Sequence, residues 1–209
     1  CSSDLAMPGS WNGRFNPDAA LLPVLVSYPE AERYARWAGK LLPEEAQWEK
    51  AANGISRFTQ VVRDDGLMEI VESTRYPWGN DYDRERANAA DFWTGLQEYR
   101  GWKKGLLPVY FLEDRNASAW GAVNMTGNAA EWTSSWYDRY ENSRASHRRF
   151  GRQVKVVRGG SWFSPSGRLR NTARDFGGIP SLHDDRSFGF RCIKRGEKGD
   201  ELGEKRVVP

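Results

Sequence analysis

The polar and apolar positions divide the chain into an ordered front half and a turn-rich back half. Leu22-Pro23-Val24-Leu25-Val26-Ser27 is a short apolar run ending at a serine able to cap the next segment, where Pro29 and Glu30 suit a first helical turn. Ala31, Tyr34, Ala35 and Ala38 then recur on one face, and Gly39 offers a left-handed stop, so the spacing predicts a helix from Pro29 to Ala38. Pro43 to Ala52 opens with proline and acids that complement the helix dipole and closes at Asn53-Gly54, which predicts a second helix. Between Ser56 and Arg75, alternating and β-branched pieces flank Asp64-Asp65-Gly66 and read as an exposed hairpin. From Tyr76 onward, turn signals recur every few residues among scattered aromatics such as Phe92, Trp93, Tyr99, Phe111 and Trp120. Short strands are predicted at Val154–Val157, Arg170–Arg174 and Gly189–Ile193. Met7 to Gly13 reads as a surface loop, and Arg195 to Lys205 as a charged, frayed tail.

Composition narrows the function classes. With 209 residues and no Pro/Ser-rich linker, the chain reads as one domain. Thirty-one Lys+Arg against twenty-eight Asp+Glu leave a net charge of +3, a small surplus and not a stripe that grips phosphates, so nucleic acid is not expected as a partner. Ten tryptophans and twenty-one glycines favour a loop-rich architecture packed around large aromatics. No apolar run reaches the roughly eighteen residues of a transmembrane helix. Cys1 and Cys192 are the only cysteines, which excludes a disulfide framework and a four-cysteine zinc site. Cys1-Ser2-Ser3-Asp4 has the look of a mature lipoprotein start, so export or lipid anchoring through Cys1 stands beside a cytoplasmic location.

The candidate chemistry centres on Asn124-Met125-Thr126-Gly127-Asn128-Ala129-Ala130-Glu131-Trp132. A carboxamide, a carboxylate and flexible backbone within one loop are what a hard cation such as calcium needs. A Gly-Asn turn followed by a buried tryptophan would read the same way. His147 and His183 are the only histidines, too few for a three-histidine iron site, and no Gly-x-Ser-x-Gly elbow is present.

Six blocks carry a further signal: Pro23 to Ala31, Leu42 to Glu49, Tyr76-Pro77-Trp78-Gly79-Asn80, Gly127 to Trp132, Val157-Arg158-Gly159-Gly160-Ser161-Trp162 and Gly189-Phe190-Arg191-Cys192. In this order they resemble the formylglycine-generating enzyme, or sulfatase-modifying factor, family. The resemblance implies an α+β, C-type lectin-like fold: two helices, a small twisted antiparallel sheet and extensive irregular loop. It also implies a calcium site with side-chain oxygens from Asn124 and Glu131 and carbonyls from Gly127 and Ala129. A second site would begin at Asn88 and Ala89, but Arg100 stands where an aspartate is expected, and a guanidinium repels a cation.

The family's oxidases bind copper through two cysteines after Gly-Gly-Ser, and those positions fall here at Ser164 and Leu169. A soft copper ion is held by thiolates, so no copper is expected. The segment between the last two blocks mixes aromatic, basic and acidic groups on one face: Trp162, Phe163, Ser164, Ser166, Arg168, Arg170, Phe176, His183, Asp184, Asp185 and Arg186. That mixture suits recognition of a protein or small-molecule ligand. Variable proteins of diversity-generating retroelements, which the chain is also similar to, place their binding residues between the same two blocks. The expected function is therefore a non-catalytic recognition domain, with an oxidoreductase of the formylglycine-generating or siderophore-maturation type as the alternative.

Overall fold

A computed structural model of the protein describes residues 19–53, 55–63, 66–177 and 188–194. The loop at 7–13, Cys1, His183, Asp184, Asp185, Arg186 and the tail lie outside them. Helix α1 spans Tyr28–Trp37 and starts one residue earlier than the pattern predicts. Its first turn is fixed by Glu30, whose carboxylate accepts from both the backbone N–H and the hydroxyl of Ser27, each at 2.8 Å. Ala31 and Ala35 are fully inside, whereas Tyr34 lies at the rim, edge-on to Phe190. Strand β1 (Lys40–Leu41) follows, then helix α2 (Glu45–Ala52), which buries Trp48 and Ala52. The expected hairpin forms as β2 (Ile55–Arg63) and β3 (Gly66–Ser73) in antiparallel register.

The turn-rich stretch contains a 3-10 turn (Arg84–Arg86), β4 (Glu98–Tyr99), β5 (Trp102–Lys103) and a short helix, α3 (Glu113–Asn116). Aromatic packing holds it together: Phe92, Trp93, Tyr99 and Phe111 meet edge to face with centroids 5.1–5.6 Å apart, over buried Leu107 and Leu112.

The sheet that organises the molecule comes late. Strands β6 (Glu131–Trp136), β7 (Lys155–Arg158), β8 (Arg174–Phe176) and β9 (Gly189–Phe190) lie in the order β8-β7-β6-β9. The sheet is mixed where an antiparallel one was expected, because β9 runs parallel to β6. A final strand, β10 (Ile193–Lys194), pairs with β1 and so ties the end of the described chain to the loop after α1. The strand expected at Arg170–Arg174 is displaced to 174–176. Asn171, inside the expected span, instead spends its groups on a turn: its N–H donates to Arg75 O at 2.7 Å and its amide to Thr74 O at 3.1 Å.

Trp132 is the core's centre, 1% exposed between Val26, Tyr28, Ala31 and Val157. Its indole N–H donates to Val26 O at 2.9 Å, so even its polar edge is satisfied. A buried ion network ties α2 to the sheet. Arg158 donates to Glu45 at 2.8 Å and to Glu49, with its guanidinium 5.3 Å from the Trp48 ring, and Arg174 donates to Glu45 at 2.8 Å. A buried arginine with two carboxylates is costly to break by removing one member, because the remainder stays charged and dry.

Candidate functional site

Two neighbouring places carry the predicted chemistry, and residues 124–131 join them. Asn124, Gly127 and Asn128 all have positive φ (53°, 78° and 64°), so this loop is wound tightly. At Gly127 any side chain is barred, since a Cβ there would meet Asn88 O at 2.4 Å. The loop is pinned on every side: Gly127 N–H to Gly159 O at 2.9 Å, Asn128 N–H to Asn88 O at 2.7 Å, and Trp162 N–H to Asn128 O at 2.9 Å.

At the loop's far end Glu131 points away from Trp132, as strand alternation requires. Asn124, Ala129 and Glu131 border a cavity of about 230 Å³, together with Val109 and Arg191. Arg191 grips the Glu131 carboxylate with both arms, at 2.6 and 2.7 Å, and Trp48 adds an indole N–H at 2.8 Å. Burial works against the Arg191 charge, yet the facing Glu131 carboxylate more than offsets it and holds the guanidinium above its ordinary pKa. Neither Arg191 nor Trp48 was marked by sequence as part of this site, although both sit in the quoted blocks. Asn124, Gly127, Ala129 and Glu131 carry hard oxygens of the kind calcium takes, and three of the four residues border one cavity, but both Glu131 oxygens are engaged by Arg191 and Trp48, and Asn124 Oδ1 accepts from the Asn116 amide at 2.7 Å. Asn88 and Ala89 are committed elsewhere. Asn88 Oδ1 accepts from the Trp93 indole at 2.7 Å, Ala89 is fully buried, and Arg100 lies over the Tyr99 and Phe111 rings.

Beyond Gly159 the chain turns through Gly160, and the two positions that match the family's copper cysteines converge there. A Cβ built on Gly160 would lie 2.8 Å from Leu169 Cδ2 and 3.3 Å from Ser164 Cβ, so these two side chains flank one point. Neither offers a ligand to a soft metal. The Ser164 hydroxyl accepts from Ser161 N–H at 2.9 Å and lies 3.1 Å from its Oγ, while Leu169 is 0% exposed in a cluster with Tyr76, Ala87 and Ala89. Copper does not fit these residues. Among the described residues no group of three or more His, Cys, Asp or Glu is placed to hold a metal. Burial pushes the Cys192 thiol up, with Lys40 opposing, and it packs against the main core cluster.

Above this point opens a cavity of about 480 Å³ whose walls include Tyr137, His147, Phe163, Arg168, Asp175 and Phe176. Of the residues marked by sequence, Phe163, Ser164, Arg168 and Phe176 line it; Trp162, Ser166 and Arg170 stand outside its lining. Trp162 meets Phe163 edge-on at 5.3 Å, and Arg170 is exposed. Arg168 is paired with Asp175 across the rim, with both side chains about half exposed. Tyr137 and His147 were missed. They join Phe176 and Phe150 in a cluster of rings at 5.0–5.7 Å, and nothing local in the sequence links a tyrosine on one side of a turn to a histidine ten residues on.

A family model described as the sulfatase-modifying factor enzyme 1-like domain matches residues 9–196. The chain belongs to that family. Among its relatives, inactive C-alpha-formylglycine-generating enzyme 2 of Mus musculus is 34% identical over 179 residues, 82% of this chain and 48% of that protein. Hercynine oxygenase of Mycobacterium tuberculosis is 36% identical over 168 residues, 72% of this chain and 32% of that protein. The chain thus spans about half or less of the length of these relatives. Among solved structures, PvdO from Pseudomonas aeruginosa superposes with a TM-score of 0.53 at 19% identity, covering 81% of this chain and 60% of that one, which is a likeness of fold. This sulfatase-modifying-factor domain therefore keeps the family's fold. No helix among the described residues is long and apolar enough to cross a membrane.

Proposed function

We propose that this domain is a non-catalytic recognition module that binds a protein or small-molecule ligand through the face around Phe163, Arg168 and Phe176. One observation carries the reading: the two positions that match the copper cysteines meet over Gly160, yet one is an internally bonded hydroxyl and the other a buried aliphatic side chain. Similarity to a relative described as inactive supports it. The cavity above keeps aromatic and charged groups at its rim, the residue types that dominate binding energy at interfaces. Calcium, in this reading, has a structural role at Asn124, Gly127, Ala129 and Glu131, away from the ligand face.

The test is copper titration of the unaltered protein together with oxygen uptake on a cysteine-containing peptide. The expected result is no copper retained against a weak competitor and no thiol-dependent uptake. One tightly held copper per chain with oxygen consumption would hand the function to the oxidoreductase alternative.

A further inference from the structure

A cavity of about 1010 Å³ lies away from the ligand face, in a groove between α2 and the turn after β6. We propose that this groove docks an extended polypeptide segment of a partner protein that carries lysine or arginine, independently of the face around Phe163. Its size is at the upper limit for a single small ligand and suits a chain laid along it. Three large aromatics stand half-exposed on its walls, Trp120 (57%), Trp136 (37%) and Tyr140 (57%), and such rings are the commonest anchors of protein interfaces.

Two of these rings are held rigid from within. The Lys155 ammonium lies 3.8 Å from the Trp136 ring centre and donates to Ser134 O at 2.6 Å. Tyr140 donates to Glu45 at 3.0 Å, and the Arg174 guanidinium covers its ring at 4.5 Å. A partner therefore meets a surface already ordered, which spares part of the entropy that binding otherwise costs.

Charge selects the kind of partner. The groove's inner carboxylates, Glu45 and Glu49, are consumed by Arg158 and Arg174. At its mouth Glu44, Asp138 and Glu141 have no ion-pair partner among the described residues, against two unpaired cations, Lys50 and Arg139. Carboxylates without an ion-pair partner beside exposed aromatic rings favour an ammonium or guanidinium group, which can pair with one and lie over the other. An acidic segment or a phosphate backbone meets the opposite balance.

A random peptide library displayed on phage and selected on the immobilised protein tests this. The enriched peptides should carry more lysine and arginine than the starting library. They should bind the double variant Trp120→Ala/Glu141→Gln at least tenfold more weakly, and Phe163→Ala as well as the unaltered protein. Trp120 and Glu141 are exposed, so the double variant should melt like the parent, and that melting curve is the control. No enrichment, enrichment without basic residues, or undiminished binding to the double variant overturns the proposal. Loss of binding with Phe163→Ala alone would assign the peptides to the other face and overturn it equally.

Discussion

The proposed loss of copper chemistry rests on single residues, which makes that reading reversible. Because Leu169 and Ser164 flank the same point above Gly160, Ser164→Cys with Leu169→Cys should bring two thiols together and allow capture of copper(I), which thiolate pairs select. Leu169 is fully buried, so shortening it should cost about 1–3 kcal/mol, toward the lower end of large-to-small core changes. Copper affinity measured against a chromogenic competitor is the readout. A folded double variant that holds copper no better than its parent would show that the two positions do not face each other. That serine and leucine follow Gly-Gly-Ser at these positions is legible in the sequence. The convergence over Gly160 was not, because it depends on a turn whose geometry follows from packing against Leu169. The same limit applies to Arg158, whose partners Glu45 and Glu49 lie 113 and 109 residues away, and to Arg191 on Glu131, 60 residues away.

At the scale of elements, the helices were legible because their signals are local: Ser27 with Glu30, Pro29 in the first turn, and apolar positions on one face. Strands of two or three residues carry too short a pattern. β8 was displaced for that reason, and the parallel pairing of β9 with β6 depends on chain far away in sequence. The contact of α1 with β6 gives a pH prediction. Tyr28 opens the helix with its ring 5.7 Å from that of Trp132, and burial, with the Glu32 carboxylate adding and Arg36 opposing, pushes its phenol from 10.0 up to about 12. The folded chain therefore keeps this proton where the unfolded chain loses it. Its contribution to stability is complete below pH 10 and disappears as the pH rises from about 10 to about 12. Tyr82, raised by burial and by its hydrogen bond to Asp91, and Tyr140, raised by burial and by Glu45, add to the same slope, while Lys155, lowered by burial, opposes it. Melting temperatures should fall through this window, and Tyr28→Phe should flatten the fall. An alkaline limb equally steep in the variant would remove Tyr28 as its source.

For the whole molecule, what matters is how so little regular structure stays ordered. Between β3 and β6 the chain has two two-residue strands, one 3-10 turn and one short α-helix, and the loop at 124–131 gathers its turns by bonding to Asn88, Leu107, Gly159 and Trp162. If calcium binds at Asn124, Gly127, Ala129 and Glu131, it acts on this junction, and its binding free energy adds to the stability of the entire domain. At a hundredfold excess over Kd the gain is about 2.7 kcal/mol. The Arg191 guanidinium limits it, because it already neutralises the site's one carboxylate and repels a second cation nearby. Calcium should therefore raise the melting temperature with a saturable dependence on its concentration, and a chelator should reverse the gain. Magnesium should do less, since it demands a tighter octahedron than a loop of carbonyls provides. Coincident melting curves for the metal-stripped protein with and without calcium would leave Arg191 as the only cation this junction uses.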